Sequence, residues 1–571
     1  MKKHEQYSDQ IARLYPSEKI QTDDGQKILT QSITFQVTDD CNLACCFVKG
    51  TKILMSNNIE KNIEDIQLGD KVMGYDDKGV YTECKVEQLF ELQDMTYTLF
   101  FDDYTNITGT GNHEMLLTNG YKSIADIELG DQLIGYTRTK TVIDKTPKIV
   151  ATVYNIGVTP THTYIANGLL TKNCYCYQGH KGKNRMSFET AKKFFDLVLS
   201  GDKGFKSYIN PEKSPGLVVD FIGGEPFLEV ELIDQICTYI MDRLIELNHP
   251  WAMKTKFSIC SNGVLYRDEK VQAFLRKWAN RLSFSVTIDG NKELHDSCRV
   301  FPDGKPSYDL AVDAAIDWMK RGNYMGSKIT IAPGNISFLY DAIKHMVDLG
   351  YDEINANCVY EKGWTPVHAT VLYDQMKRIS DYFLEQNFDF ERDFFCSLYS
   401  EDFFKPKDPD DLQSWCGGVG NSMIACDPQG RIFPCIRYME SSLNGEQEPY
   451  SIGNVDNGIG CTECYKCRID CMAKIDRRTQ TTDECFYCPI AAGCSNCAGY
   501  DYQVNGTPDS KATYICIMHK ARALGNLYFW NKYYRKNNMS KRMKNYVPDE
   551  WALEIISESE LNMLKELERE D

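Results

Sequence analysis

Residues 41–50 read Cys-Asn-Leu-Ala-Cys-Cys-Phe-Val-Lys-Gly, and residues 168–179 read Gly-Leu-Leu-Thr-Lys-Asn-Cys-Tyr-Cys-Tyr-Gln-Gly. Each stretch is incomplete alone: Cys41 and Cys45 form a CxxxC with no third ligand nearby. Removing residues 46–173 joins the flanks as Cys41-Asn-Leu-Ala-Cys45-Cys174-Tyr175-Cys176, which places Cys41, Cys45 and Cys176 in a CxxxCxxC. The same deletion has Cys46 at its start, Asn173 at its end and Cys174 just beyond it. Those are the residue types that a self-excising segment needs. Two independent motifs share one pair of boundaries.

The chain of 571 residues is too long for one ordinary domain, and 42% hydrophobic content can fill several cores. A net charge of −17 argues against nucleic acid as the main partner, because a phosphate backbone calls for a basic surface. No run of 18 apolar residues and no charged-then-apolar leader is present, so membrane and secretory readings are poor. Twenty-three cysteines in such a chain fit metal or cluster ligation better than disulfides, and only Cys46 and Cys84 lie within 46–173. The expected compartment is a reducing, anaerobic cytoplasm.

Excision requires a nucleophile at each junction and an Asn able to cyclise onto its own carbonyl. Cys46 can attack the Cys45 carbonyl and convert the amide to a thioester. Cys174 can then receive the acyl group while Asn173 cyclises. Residues 109–113 read Gly-Thr-Gly-Asn-His, and residues 161–170 read Thr-His-Thr-Tyr-Ile-Ala-Asn-Gly-Leu-Leu. With its termini, this segment resembles an intein, and the resemblance assigns Thr110 and His113 to polarising and protonating the scissile amide. It also makes His162 the second histidine of the family. Two positions depart from the pattern: Lys172 stands where a His is usual, and Asn155 where an Asp is expected. Both predict slower splicing. At 128 residues there is no room for a homing endonuclease. The rival is an inert β domain or an intein that no longer splices.

Short stretches rich in Val, Ile, Thr and Tyr, broken by Gly-Asp at 69–70 and 130–131, predict a compact all-β domain. Ser-Ile-Ala-Asp-Ile-Glu-Leu-Gly-Asp (123–131) repeats Asn-Ile-Glu-Asp-Ile-Gln-Leu-Gly-Asp (62–70), which suggests the pseudo-twofold symmetry of the Hedgehog/intein fold.

Outside the insert, strand-like segments at 32–38, 216–224, 256–262, 282–289, 327–333 and 353–360 alternate with amphipathic stretches such as 187–200. Ser187 reads as a helix N-cap and Gly201 as its end. The alternation predicts a parallel α/β barrel with its chemistry on loops at strand C-termini. The rebuilt CxxxCxxC follows the first strand, and Gly223-Gly224-Glu225-Pro226 follows the second. Together they resemble a radical S-adenosylmethionine (SAM) enzyme. The resemblance implies a partial TIM-type barrel and a 4Fe–4S cluster held by Cys41, Cys45 and Cys176. SAM would occupy the open iron and be split to a 5′-deoxyadenosyl radical. It further implies that Tyr175 packs near the adenine and that Gly223, Gly224, Glu225 and Pro226 receive the SAM ammonium. Thr287, in Thr-Ile-Asp-Gly-Asn-Lys-Glu-Leu-His-Asp-Ser-Cys-Arg, keeps a hydroxyl where Ser is usual, and Arg299 would bind the SAM carboxylate.

From Cys416 onward cysteines dominate. Cys416, Gly430 and Cys435, then Cys485, Cys488, Cys494, Cys497 and Cys516, resemble the SPASM extension of peptide-modifying radical SAM enzymes. By that resemblance Cys416, Cys435 and Cys497 serve one auxiliary cluster, and Cys485, Cys488, Cys494 and Cys516 the other. Cys494 and Cys497 stand one residue closer than is usual. Cys461, Cys464, Cys467 and Cys471 could ligate a further cluster, complete an auxiliary one, bind zinc, or bind no metal. The aromatic segment 528–534 reads as a helix packed on the barrel, and the last 25 residues as a solvated acidic helix.

The expected organisation is a split radical SAM barrel (1–45 and 174–395), a mini-intein (46–173), a cysteine-rich α+β SPASM domain (396–525) and C-terminal helices (526–571). The function implied is modification of a ribosomally made precursor peptide after splicing, with a reductant such as flavodoxin or ferredoxin. No nucleic-acid or membrane partner is expected. An anaerobic sulfatase-maturating enzyme is the nearest rival, but Ile436 follows Cys435 where that group carries Asp. A non-catalytic metal-cluster scaffold is the rival from another class.

Overall fold

The computed structural model describes residues 31–569 except 39–46, 77–78, 111–112, 119, 125–126, 160, 162, 173–183, 300, 302–305, 334, 361–363, 391–393, 402–403, 415, 417–418, 420–421 and 444–446. Its strands fall into two large sheets with separate cores. One is built from the segment that the sequence marks as an insert, the other from the flanks.

The insert is all-β. Two long strands, Tyr81–Phe101 and Lys140–Thr159, pair antiparallel from Phe101↔Val142 to Lys85↔Thr159. The repeated nonapeptides make the same turn twice. In the first, Asp70 accepts from the Gln67 N–H at 2.8 Å and from Lys61 Nζ at 2.7 Å. In the second, Asp131 accepts from the Glu128 N–H at 2.9 Å and from Lys122 Nζ at 2.8 Å. Gly69 donates to Val86 O, and Gly130 donates to Val142 O, each at 2.8 Å. Each turn is thereby tied to one long strand and leads into a short one, Lys71–Tyr75 or Gln132–Leu133, which is the local basis of the twofold pattern. Ile63, Ile66, Ile124 and Ile127 from the two repeats enter one buried cluster with Phe47 and Tyr164.

The flanks build an α/β body. Its sheet runs Leu282–Val286, Thr255–Ser261, Leu217–Gly223, Gln31–Thr38, Met423–Cys426, and then Arg431–Phe433, Gly453–Asn454 and Gly458–Ile459. The first five strands are mutually parallel and the last three continue antiparallel. Gln31–Thr38 is nearly continuously buried, as expected of a parallel strand covered on both faces. Helices Val230–Glu246 and Glu269–Trp278 make successive crossovers. Helix Phe188–Ser200 precedes the second strand; the Thr190 N–H donates to Ser187 Oγ at its start, and Gly201 ends it at φ 67°.

The alternation expected from sequence is present, but among the described residues the strands do not form one closed ladder. Ile329–Ile331 pairs only with Ala356–Cys358, and Glu353–Ile354 with Phe395–Cys396, each in parallel. A single parallel bridge, Ser285↔Gly326, follows the fourth strand.

The cysteine-rich region is not a separate body. Its strand Met423–Cys426 lies beside Gln31–Thr38, and one buried cluster runs from Ile33 through Cys426, Met472 and Phe529 to Leu564. Helix Cys516–Lys536 buries Tyr528, Phe529, Trp530, Tyr533 and Tyr534, packing against Pro366–Glu385 as its aromatic content suggests. The terminal helix Glu558–Glu568 differs from the solvated helix expected. Leu561 and Leu564 are buried, and Tyr373 Oη donates to Glu560 at 2.8 Å. Glu558 and Glu566 remain exposed, whereas Glu560 turns toward the body.

Candidate splicing centre and thiol groups

In the insert, Thr110 ends the strand Asn106–Thr110, and both it and His113 are buried. The His113 N–H donates to Thr110 O at 3.1 Å, and His113 O accepts from the Ile124 N–H at 2.9 Å, so the backbone on both sides of the ring is fixed. The ring lies against Phe47 with centroids 3.8 Å apart, and its Nε2 is 2.7 Å from Thr171 Oγ1. Among the described residues Nδ1 has no hydrogen-bond partner. Phe47 directly follows the expected nucleophile, Cys46. It fits there because residue 109 is glycine: a Cβ at that position would stand 2.7 Å from the Phe47 ring.

Burial pushes the His113 pKa down to about 3. At neutral pH the imidazole is therefore uncharged, and it enters chemistry as one N–H donor and one acceptor, not as a standing imidazolium. Asn155 is buried too. Its Oδ1 accepts from Tyr164 Oη at 2.8 Å, a contact that a neutral amide makes without a charge to desolvate. Cys46, His162, Asn173 and Cys174 lie outside the described residues. Thr171, Phe47 and Tyr164 were not singled out from sequence, because their roles depend on strand pairing, which no local motif encodes.

In the flanking body Gly223, Gly224, Glu225 and Thr287 lie at the C-terminal ends of adjacent parallel strands, the edge where such sheets carry ligands, while Arg299 caps helix Lys292–Cys298. Gly223 pairs with Thr38, and a Cβ there would lie 2.6 Å from Thr38 O, so glycine is required for the approach. The Gly224 N–H donates to the same oxygen at 3.3 Å. Glu225 is fully buried and accepts from Ser261 Oγ and the Asn262 N–H, both at 2.8 Å, and from the Phe227 N–H at 3.1 Å. Burial raises its pKa against those three donors. The carboxylate thus ties the second strand's exit to the third's. Pro226 opens a short buried 3-10 turn, Pro226–Glu229.

The Thr287 N–H donates to Ser261 O at 2.9 Å, and its Oγ1 lies 3.4 Å from Cys260 Sγ. Arg299 Nε pairs with Asp289 Oδ2. Buried His295 braces this pair: its Nδ1 accepts from the Asp289 N–H, and its Nε2 lies 3.1 Å from Ser307 Oγ. Cys41, Cys45, Tyr175 and Cys176 lie outside the described residues.

The later cysteines sort into groups. Burial pushes the Cys435 thiol up, and Cys416 and Cys497 beside it add to the rise. Burial lifts Cys516 to about 11, with Cys494, Cys485 and Cys488 contributing. Burial also works on Cys494, but the His519 imidazole and Lys511 ammonium outweigh it and bring that thiol down to about 6. Lys511 Nζ donates to Cys494 Sγ at 3.2 Å. By contrast, Cys461, Cys464 and Cys467 are exposed along and just before helix Glu463–Ala473, with Cys471 half-buried. Among the described residues no three His, Cys, Asp or Glu side chains are set to hold a metal ion. Nor is any described helix long and apolar enough to cross a membrane.

Residues 46–102 match the family model of the Hom_end-associated Hint domain. The N-terminal part of the chain contains an intein-like Hint domain. The match begins at the residue where sequence alone places the first splice junction.

Among curated proteins, an uncharacterised protein of Methanocaldococcus jannaschii is 25% identical over 33% of this chain and 59% of its own length. The catalytic subunit of the V-type proton ATPase of Candida tropicalis is 30% identical over 19% of this chain. The chain therefore spans 59% and 10% of these relatives' lengths. Among solved structures, a bacterial intein-like domain from Clostridium thermocellum is 26% identical, covering 23% of this chain and 99% of that one, with a TM-score of 0.22. A DnaB intein from Synechocystis is 17% identical with the same coverages and TM-score.

Proposed function

We propose that the chain is a precursor whose Hint domain excises itself and joins its flanks into a radical SAM enzyme that modifies a ribosomally made peptide. The observation that carries the splicing half is the pair of buried residues Thr110 and His113, the latter packed on the residue after Cys46, in a segment whose residues 46–102 match the Hint family. Cys46 would attack the Cys45 carbonyl, with the neutral His113 ring offering a hydrogen bond at the amide being broken. Cys174 would accept the acyl group as Asn173 cyclises.

The enzymatic half is supported by Gly223, Glu225 and Thr287 lying at one edge of a parallel sheet, with Arg299 paired to Asp289 beyond the fourth strand, and by the strand that leads to Cys41 in sequence. It is also supported by the two thiol neighbourhoods. Cluster thiolates bind different irons, so they need to converge without meeting at one ion. Cys41, Cys45 and Cys176 would hold the SAM-binding 4Fe–4S cluster, which when bound supplies the electron for SAM cleavage. Cys416, Cys435 and Cys497, and Cys485, Cys488, Cys494 and Cys516, would hold auxiliary clusters. A precursor peptide and an electron donor such as flavodoxin or ferredoxin would be the partners.

Intact-mass analysis of the expressed chain tests the splicing half. The wild type should yield ligated flanks and free insert. Cys46→Ala should abolish ligation, and Asn173→Ala should block release of the insert. An unchanged 571-residue chain under reducing conditions at neutral pH would show that the insert no longer splices.

A further inference from the structure

The strand Leu169–Lys172 runs directly to Asn173, and within it Thr171 is completely buried. It pairs with Tyr164 on one side and with Met115 on the other. Met115 lies two residues beyond His113. This register sets the Thr171 hydroxyl 2.7 Å from His113 Nε2. Phe47 covers the ring face, Tyr164 approaches at 6.4 Å between centroids, and among the described residues Nδ1 is left without a hydrogen-bond partner. A side-chain hydrogen bond therefore links His113 to the strand that leads to the second junction. Lys172, the next residue, has no ring to offer in the position where inteins usually place a histidine.

We infer that Thr171 is a positioning residue for splicing: its hydroxyl orients the His113 ring and occupies Nε2, so that Nδ1 is the nitrogen presented to the first scissile amide. This rests on the splicing reading above. With Nε2 engaged, the neutral ring has one nitrogen left for the amide, and the Phe47 ring, tilted against it with centroids 3.8 Å apart, crowds the space beside it. Without the hydroxyl the ring would keep its packing but lose its hydrogen-bonded reference. A small misplacement of a reacting group is enough to slow a step severely.

The test uses the full chain. Thr171→Val keeps the shape and removes the hydroxyl, whereas Thr171→Ser keeps the hydroxyl and removes a methyl. Thiol-induced cleavage at Cys45–Cys46 is timed in an Asn173→Ala background, and release at Asn173 in a Cys46→Ala background. Thr171→Val should slow the first reaction about tenfold or more, with Thr171→Ser restoring it to within about threefold. Release at Asn173 should change far less. First-junction cleavage at the parental rate in Thr171→Val would overturn the inference. Equal slowing of both reactions by both variants would also overturn it, since that is the signature of lost packing. If the parent chain cleaves at neither junction, the splicing reading itself fails and takes this inference with it.

Discussion

His113 is 2% exposed, and burial pushes its pKa down to about 3, well below the ordinary 6.5. In the unfolded chain the same imidazole takes up a proton near its ordinary value, so between about 3 and 6.5 the unfolded state binds more protons than the folded one. Insert stability is then complete above that range and falls as pH drops through it. At pH 4.5 the loss should reach about 3 kcal/mol relative to pH 7.5. Asp70, Asp103 and Asp131 carry lowered pKa values and respond at more acid pH, below the ordinary carboxylate range. Hydrogen-exchange protection of Glu114–Leu117 and Leu169–Lys172, corrected for intrinsic exchange, should weaken accordingly in a Cys46→Ala, Asn173→Ala chain. His113→Gln should flatten that pH dependence. Equal acid sensitivity with and without His113 would assign the effect to another group.

The strand exits in the host are fastened by a carboxylate. Glu225 accepts three hydrogen bonds, two of them from the end of Thr255–Ser261, and Glu225→Ala would leave those donors buried and unpaired. Its expected cost is about 3 kcal/mol. All seven tryptophans lie outside 46–173, so their emission reports host unfolding alone and should show an earlier denaturant midpoint. An unmoved midpoint would mean that the donors find other partners. Such ties were not legible in the sequence, where Glu225 could be matched to a motif but not to Ser261 and Asn262, 36 and 37 positions away. Elements that depend on local chemistry were legible: the Ser187 cap, the alternating strands and the repeated Gly-Asp turns. The union of Met423–Cys426 with the first strand was not, because parallel pairing across nearly 400 positions leaves no local trace. For the same reason the terminal helix looked solvated. Its acidic residues outnumber the two leucines that dock it.

The molecule keeps the buried clusters of insert and host apart. A fully buried Leu or Phe contributes about 2 kcal/mol wherever it packs, so each body can hold its own fold before and after the chain is cut and rejoined. Covalent order is what splicing changes. In the precursor Cys45 is followed by Cys46 and the whole insert, whereas in the ligated product it precedes Cys174-Tyr175-Cys176. The proposed cluster takes Cys41, Cys45 and Cys176 in a CxxxCxxC spacing, and in the precursor sequence the 128 residues of the insert stand between the second and third of these thiols. On the proposed function, a SAM-binding cluster would accordingly belong to the spliced form, while the cysteines at 416–516 are contiguous with the same flank in both. After anaerobic reconstitution, the splicing-dead Cys46→Ala, Asn173→Ala precursor should retain the iron of the auxiliary sites but lack one cluster's worth and form no 5′-deoxyadenosine. Spliced protein with Cys485→Ala and Cys488→Ala should show the reverse: SAM cleavage continues in part, while peptide modification is lost, with circular dichroism checking that the fold survives. Full SAM cleavage by the splicing-dead precursor would break the proposed dependence of cluster assembly on excision.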